Sequence, residues 1–307
     1  MLAYAIRRLL VAIPTLFLII TLAFFMMRVA PGGPFDQERP LPAAIQENVE
    51  ARFHLDEPLP VQYLIYIGNV LRGDFGPSIK SRDFSVSELI GTGFWPSLKL
   101  GGIALLAATV VGTALGAFAA LRQNSALDYA IMATAMSGIA IPNFVMAPVL
   151  TLIFGIYFNL LPVGGWGGGD VSHMVLPIVA LALPQLAYFA RLTRASMIEV
   201  LRQNYMRTAR AKGLPRRITL WRHALKGALL PVVTYLGPAA AALITGSVVI
   251  EQIFGIPGVG RYFVQGALNR DYPLVMGTVI FFAVIIILLN LIVDLLYSVL
   301  DPKVRYD

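Results

Sequence analysis

The sequence predicts an all-α membrane protein with six transmembrane helices and both termini on the cytoplasmic side. Three observations carry that reading. Only 13% of the residues are charged while 57% are hydrophobic, and the mean hydropathy is +0.73; soluble domains run near a quarter charged. The apolar residues gather into six runs, at about 9–30, 98–121, 129–158, 174–192, 228–252 and 274–298, each long enough to cross a bilayer. The basic residues are also unevenly placed: segment 191–226 carries ten of the chain's 24 Lys and Arg against one acid, Glu199, whereas residues 31–96 hold nine acids and five bases. Basic loops stay in the cytoplasm. With six spans, that side also holds Arg7, Arg8, Arg122, Lys303 and Arg305.

Each run must be helical, because lipid offers no partners for backbone N–H and C=O groups. The first resembles a signal peptide, but its uncharged stretch, Leu9 to Met27, is 19 residues long, which suits a retained span behind Arg7 and Arg8. Residues 31–97 form a small extracytoplasmic subdomain, with a helix expected from Pro42 to Phe53, an amphipathic run from Val61 to Leu71, and a turn at GDFGPS. The remaining division is a five-helix core at 98–298, which includes a cytoplasmic loop at 193–227, followed by a tail at 299–307.

Within the core, Pro142 and Asn143 break the third span, with Pro148 following, and Pro177 and Pro184 are expected to kink the fourth. The glycine-rich loop at 162–170, PVGGWGGGD, reads as a flexible surface loop with Trp166 at the interface. No GxxxxGK[ST] pattern exists in the chain, so the loop is not a phosphate cradle. Segment 251–273 reads as a short helix at the outer interface. Glu251, at the membrane edge, lines a gate or simply lies at the surface.

Several chemistries are excluded. The absence of cysteine removes disulfides, thiolate metal sites and thiol catalysis. The three histidines, His54, His173 and His223, lie outside the spans, and no HExxH appears, which argues against a metal centre or an intramembrane enzyme. A nucleic-acid partner is incompatible with six spans, despite a pI near 9.7. An ion-coupled secondary transporter is permitted by the Pro142–Asn143 break, but it needs no large basic loop.

That loop contains RTARAKGLP, residues 207–215. A short helix from Tyr205 to Lys212 is expected, capped by Asn204 and stopped by Gly213 at the C′ position and Pro215. A second helix near Arg216 would place Ile218, Trp221 and Leu225 on one face. Topogenic charge or binding to anionic lipid would each explain the cations. Neither needs the small residues Thr208, Ala209, Ala211 and Gly213, which allow another protein surface to approach closely. A docking helix is the better reading.

The same residues resemble the cytoplasmic EAA-type loop of ABC importer permeases, in the RTARAKGL…RHALK…ALLP form of the peptide branch. Arg207, Thr208 and Ala209 stand at the Glu-Ala-Ala positions, Gly213 at the motif glycine, and Leu230 and Pro231 at the terminal Leu-Pro. The arginine in place of glutamate and the longer spacing from Gly213 to Leu-Pro depart from the general motif but are usual in the peptide branch. TRASMIEVL, EQIFGIPGVG…NRDYP, LDPKVRY, FHLDEPLPVQY and RGDFGPS extend the resemblance along essentially the whole chain. It is most similar to the oligopeptide permeases, with the dipeptide, nickel and glutathione permeases as relatives.

The resemblance implies a type I importer permease core that works by alternating access. It implies four kinds of partner: a second homologous permease, two cytoplasmic ATPase subunits, an extracytoplasmic peptide-binding protein and membrane lipid. ATP and Mg would be bound by the ATPase subunits, with no cofactor or metal in this chain. Tyr205, Arg207, Thr208, Ala209, Arg210, Ala211, Lys212, Gly213, Leu214 and Pro215 are the expected coupling residues. Polar side chains within spans are candidates for the path: Asn143, Gln185, Thr234, Tyr235, Thr245, Ser247, Asn290 and Asp294. Hydrogen bonding to a neighbouring helix is the plainer role for each.

Overall fold

The computed structural model describes residues 2–29, 56–81 and 83–300. Among these the chain is helical, with no strand and one isolated bridge, Pro77 to Ser85. The helix expected from Pro42 to Phe53 and the tail beyond residue 300 lie outside the described residues.

Helix α1 (Leu2–Val29) is followed by α2 (Leu59–Leu71), α3 (Val86–Leu121), α4 (Ala126–Ala140) and α5 (Asn143–Leu150), which continues as a π turn, Thr151–Tyr157. Then come α6 (Val171–Leu201), α7 (Asn204–Ala211), α8 (Arg216–Ile218), a π turn at Thr219–Ala224, α9 (Leu225–Ala228), α10 (Leu230–Phe254), α11 (Val259–Leu268) and α12 (Tyr272–Leu300). Five of the described helices are long and apolar enough to cross a membrane, and the bent pair α4–α5 makes a sixth if it counts as one span. The bend is 105° and falls at Ile141–Pro142, where Pro142 lacks the N–H that would continue the ladder. By contrast, α6 is one helix through Pro177 and Pro184.

Helix α3 is longer than the apolar run within it. Its first turn is set by Ser85, whose hydroxyl accepts from the Glu88 N–H while the Glu88 carboxylate accepts from the Ser85 N–H, a capping box. The boundary expected at residue 97 therefore falls inside a helix. Its extra turns pack Val86, Leu89 and Ile90 against Phe75 and Leu274.

The core is built on α3, α5, α6 and α10, where Leu100, Ala104, Ala108, Ala147, Leu176, Ala180, Phe189, Leu243 and Phe254 are buried together. Along α3, small residues recur every fourth position, at Ala104, Ala108, Gly112 and Gly116, and all four are buried. A Cβ at Gly112 would come within 2.6 Å of the Leu186 carbonyl oxygen, and one at Gly116 within 2.3 Å of that of Ala190. Glycine lets the α3 and α6 backbones touch, the packing that membrane helices use in place of a hydrophobic drive. No reading of the apolar runs singled out this stripe.

Two ends of the bundle are distinct. At one end α7 lies beneath the ends of α3 and α6, with Met197, Met206, Ala224 and Ala228 buried together. At the other, α2 lies on α1, where Phe24 stacks on Tyr66 with centroids 5.5 Å apart, and Tyr63 and Thr21 share a 2.7 Å hydrogen bond. Helix α2 matches the amphipathic run expected from Val61 to Leu71. Helix α1 exposes Leu10, Ile13 and Met26, side chains suited to lipid.

Candidate functional site

Helix α7 is amphipathic. Met206 and Ala209 are buried against the chain's own helices, while Tyr205, Arg207, Thr208, Arg210, Ala211, Lys212, Gly213, Leu214 and Pro215 are all exposed. Ala209 thus faces inward and offers no docking surface. The cap also differs from expectation: Gln203 is the N-cap, without a side-chain bond, and Asn204 is the first helical residue. The C-terminus is as expected. Gly213 has φ +73°, its N–H donates to Arg210 O at 2.9 Å, and the Leu214 N–H donates to Ala209 O at 3.2 Å. This is a Schellman ending, which glycine alone enters without strain. No atom lies within 4 Å of a Cβ placed at Gly213, so the tip is open to a partner.

The segment that follows departs from a regular helix. The π turn at Thr219–Ala224 shifts the register, burying Thr219, Ala224 and Ala228 and leaving Ile218 and Trp221 exposed, the latter at 73%. A crevice of about 460 Å³ opens beside α7, lined by Arg210 and Arg216 above Leu121, Leu201 and Leu220.

Two of the polar residues of the spans pair across helices. Tyr235 Oη donates to Gln185 Oε1 at 3.1 Å, joining α10 to α6, and its ring packs on Tyr188 and Phe189. Thr234 is exposed and returns its hydroxyl to Leu230 O. Asn290 lies beside Gly237, where a Cβ would meet its Oδ1 at 3.3 Å. Asn143 opens α5 at the bend and is half-buried. The Thr245 and Asp294 side chains lie outside the described residues.

Ser247 belongs to a different arrangement. Glu251, expected at the membrane edge or surface, is wholly buried. Its Oε1 accepts from Ser97 Oγ and Ser247 Oγ, both at 2.7 Å, and its Oε2 from the Arg261 N–H at 3.2 Å. Ser97 Oγ in turn accepts from the Val259 N–H at 2.9 Å. A Cβ at Gly258 would stand 2.2 Å from Glu251 Oε2. One carboxylate therefore gathers α3, α10 and α11.

Three further features escaped sequence reading. Arg194 grips Asp128 with two 2.6 Å bonds, Nε to Oδ1 and Nη2 to Oδ2, tying α6 to the start of α4. Asp271 caps α12 at the Leu274 N–H and accepts from Ser78 Oγ and the Lys80 N–H. The RGDFGPS and NRDYP segments thus meet. The glycine-rich loop is held in place: Gly165 N–H donates to Phe254 O at 2.6 Å and Lys99 Nζ to Gly169 O at 2.9 Å. At its end, the Ser172 hydroxyl holds the Asp170 carboxyl below the usual carboxylate range.

A bundle with five helices long and apolar enough to cross a membrane, and an exposed cationic helix at one end, is the architecture of a membrane-embedded protein. Comparison with known proteins makes the family explicit. Residues 112–306 match the family described as "Binding-protein-dependent transport system inner membrane component", and residues 1–83 match its N-terminal companion. The chain belongs to that family and is an inner-membrane permease component, not an enzyme. It is 54% identical over the whole of both chains to the oligopeptide transport system permease protein OppB of Escherichia coli K12. It is 53% identical, again over both whole chains, to OppB of Haemophilus influenzae. With the dipeptide transport system permease protein DppB of Bacillus subtilis it shares 47%, over 98% of this chain and 97% of that one. Among solved structures, the methionine ABC transporter MetNI in inward-facing conformations matches with TM-score 0.56 and 16% identity, over 69% of this chain and 96% of that one. An amino acid ABC transporter with histidines matches at TM-score 0.50 and 18% identity, over 71% of this chain and 95% of that one. Those two likenesses show the fold.

Proposed function

We propose that this chain is one half of the membrane path of an ATP-driven oligopeptide importer. A second homologous permease completes the path, two cytoplasmic ATPase subunits bind ATP and Mg, and an extracytoplasmic binding protein delivers the peptide. The chain crosses the membrane six times with both termini cytoplasmic, so the α7 end faces the cytoplasm and the α2 end faces outward. Helix α7 enters a groove of one ATPase subunit through Thr208, Ala211, Gly213 and the cations around them. The supporting observation is the open Schellman tip at Gly213, exposed while Met206 and Ala209 anchor the helix behind it. Closure of the ATPase pair then moves α7 and, through the buried Met197–Met206 contact region, the membrane helices as rigid bodies between inward- and outward-open states.

The cargo assignment rests on the 54% identity to OppB. It is tested by uptake of labelled tri- to pentapeptides, dipeptides and nickel in cells lacking their own peptide permeases, with this operon supplied. ATP-dependent uptake of the longer peptides is expected. Uptake confined to dipeptides or nickel would reassign the cargo within the family, and uptake driven by an ion gradient without ATP would overturn the importer reading.

A further inference from the structure

Glu251 is a carboxylate with no exposed surface, and among the described residues no cationic side chain forms an ion pair with it. The guanidinium of Arg261, ten residues on, donates instead to Gly255 O at 3.2 Å. Burying a carboxyl group without a counter-ion is costly. An apolar side chain would staple the same helices more cheaply, so the carboxylate has a use other than adhesion.

Its partners indicate that use. The Ser97 hydroxyl comes from α3, the Ser247 hydroxyl from α10 and the Arg261 N–H from α11. Glycines at 258 and 260 keep the space around Oε2 clear, where a Cβ would stand 2.2 and 2.9 Å away. Three further bonds converge on the same helix end: Ile256 N–H to Glu251 O, Arg261 Nη1 to Gly255 O, and Gly165 N–H to Phe254 O. The outer end of α10 is thus a hub for α3, α11 and the glycine-rich loop. Directional bonds from separate elements must break when those elements part and can re-form when they return, which apolar packing does not enforce.

We propose that Glu251 is a positioning residue, a releasable joint that makes the outer ends of α3, α10 and α11 one body in the resting transporter. The proposal rests on the importer reading above. Breaking the joint lowers the barrier that the loaded binding protein normally removes, so ATP hydrolysis no longer waits for it.

The test uses the full complex reconstituted in vesicles, with ATP hydrolysis measured per assembled complex, with and without peptide-loaded binding protein. Glu251→Ala is expected to raise the unstimulated rate about tenfold and to erase most of the stimulation. Glu251→Gln keeps an acceptor for both serine hydroxyls and should retain most of the stimulation. Should Glu251→Ala fail to assemble, Ser97→Ala with Ser247→Ala, which removes both donors and adds no bulk, carries the same expectation. An assembled variant, alanine or double serine, with the wild-type ratio of stimulated to unstimulated rate overturns the joint. A wild-type complex whose hydrolysis ignores the binding protein contradicts the importer reading itself.

Discussion

The two ends of this molecule hold their polar residues in opposite ways. At α7, four cations, Arg207, Arg210, Lys212 and Arg216, lie exposed around a helix fastened by only two buried side chains, Met206 and Ala209. At Glu251, one acidic group is enclosed by hydroxyls, a backbone N–H and glycines. The first arrangement leaves hydrogen-bonding capacity open to another protein; the second satisfies it internally. Added bulk should therefore fail differently at the two places, in function at the open Gly213 tip and in assembly at the enclosed Gly258.

The largest effect is expected at Gly258. Gly258→Leu drives a side chain into the Glu251 carboxylate, and the cost should be about 3 kcal/mol, read as loss of assembled permease in membranes. Normal abundance and thermal stability would mean that the knot yields easily. Next comes Arg194→Ala, which leaves the buried Asp128 carboxylate without its two 2.6 Å donors. The expected cost is about 2 kcal/mol, below the roughly 3–5 kcal/mol of a fully buried pair because Arg194 is partly exposed. Asp128→Asn should cost less, and the reverse order would contradict the assignment of Asp128 as the desolvated partner.

Gly213→Trp sharpens the contrast. Its φ of +73° makes any side chain cost about 1 kcal/mol, too little to prevent insertion. Uptake should nevertheless fall at least about tenfold, with the ATPase subunits still attached and hydrolysis uncoupled. Unimpaired uptake by that variant would remove α7 from the coupling path. Tyr235→Phe is expected to be the mildest: it deletes the bond to Gln185 Oε1 and should cost about 1 kcal/mol, visible as a small drop in thermal midpoint with uptake kept.

The sequence made the α7 end far more legible than the other. Gly213 and Pro215 announce a helix stop through chemistry that is local in the chain, and the structure places the stop there. The spans were legible because lipid imposes one simple rule, a run of about 20 apolar residues, although the rule missed the first turns of α3, which are held by the Ser85–Glu88 box. What pairs across distance left no such trace. Ser97 and Glu251 lie 154 positions apart, and Asp128 and Arg194 lie 66 apart, so neither partnership shows in any local window. The burial of Glu251 is equally invisible locally, because nothing in the sequence marks Gly258 and Gly260 as room for a carboxylate. The π turn between Ile218 and Leu225 left no trace either, because nothing local in the sequence marks a change of helical period.

The central claim is that α7 docks into an ATPase subunit, and the absence of cysteine allows it to be tested with a single thiol. Ala211 is exposed at the end of α7. With Ala211→Cys in membranes containing all the operon's products, a short thiol- and amine-reactive cross-linker should give a specific adduct to an ATPase subunit that changes with bound nucleotide. No adduct, with the ATPase present and the thiol labelled from the cytoplasmic side, would contradict the account and leave the basic helix without its partner.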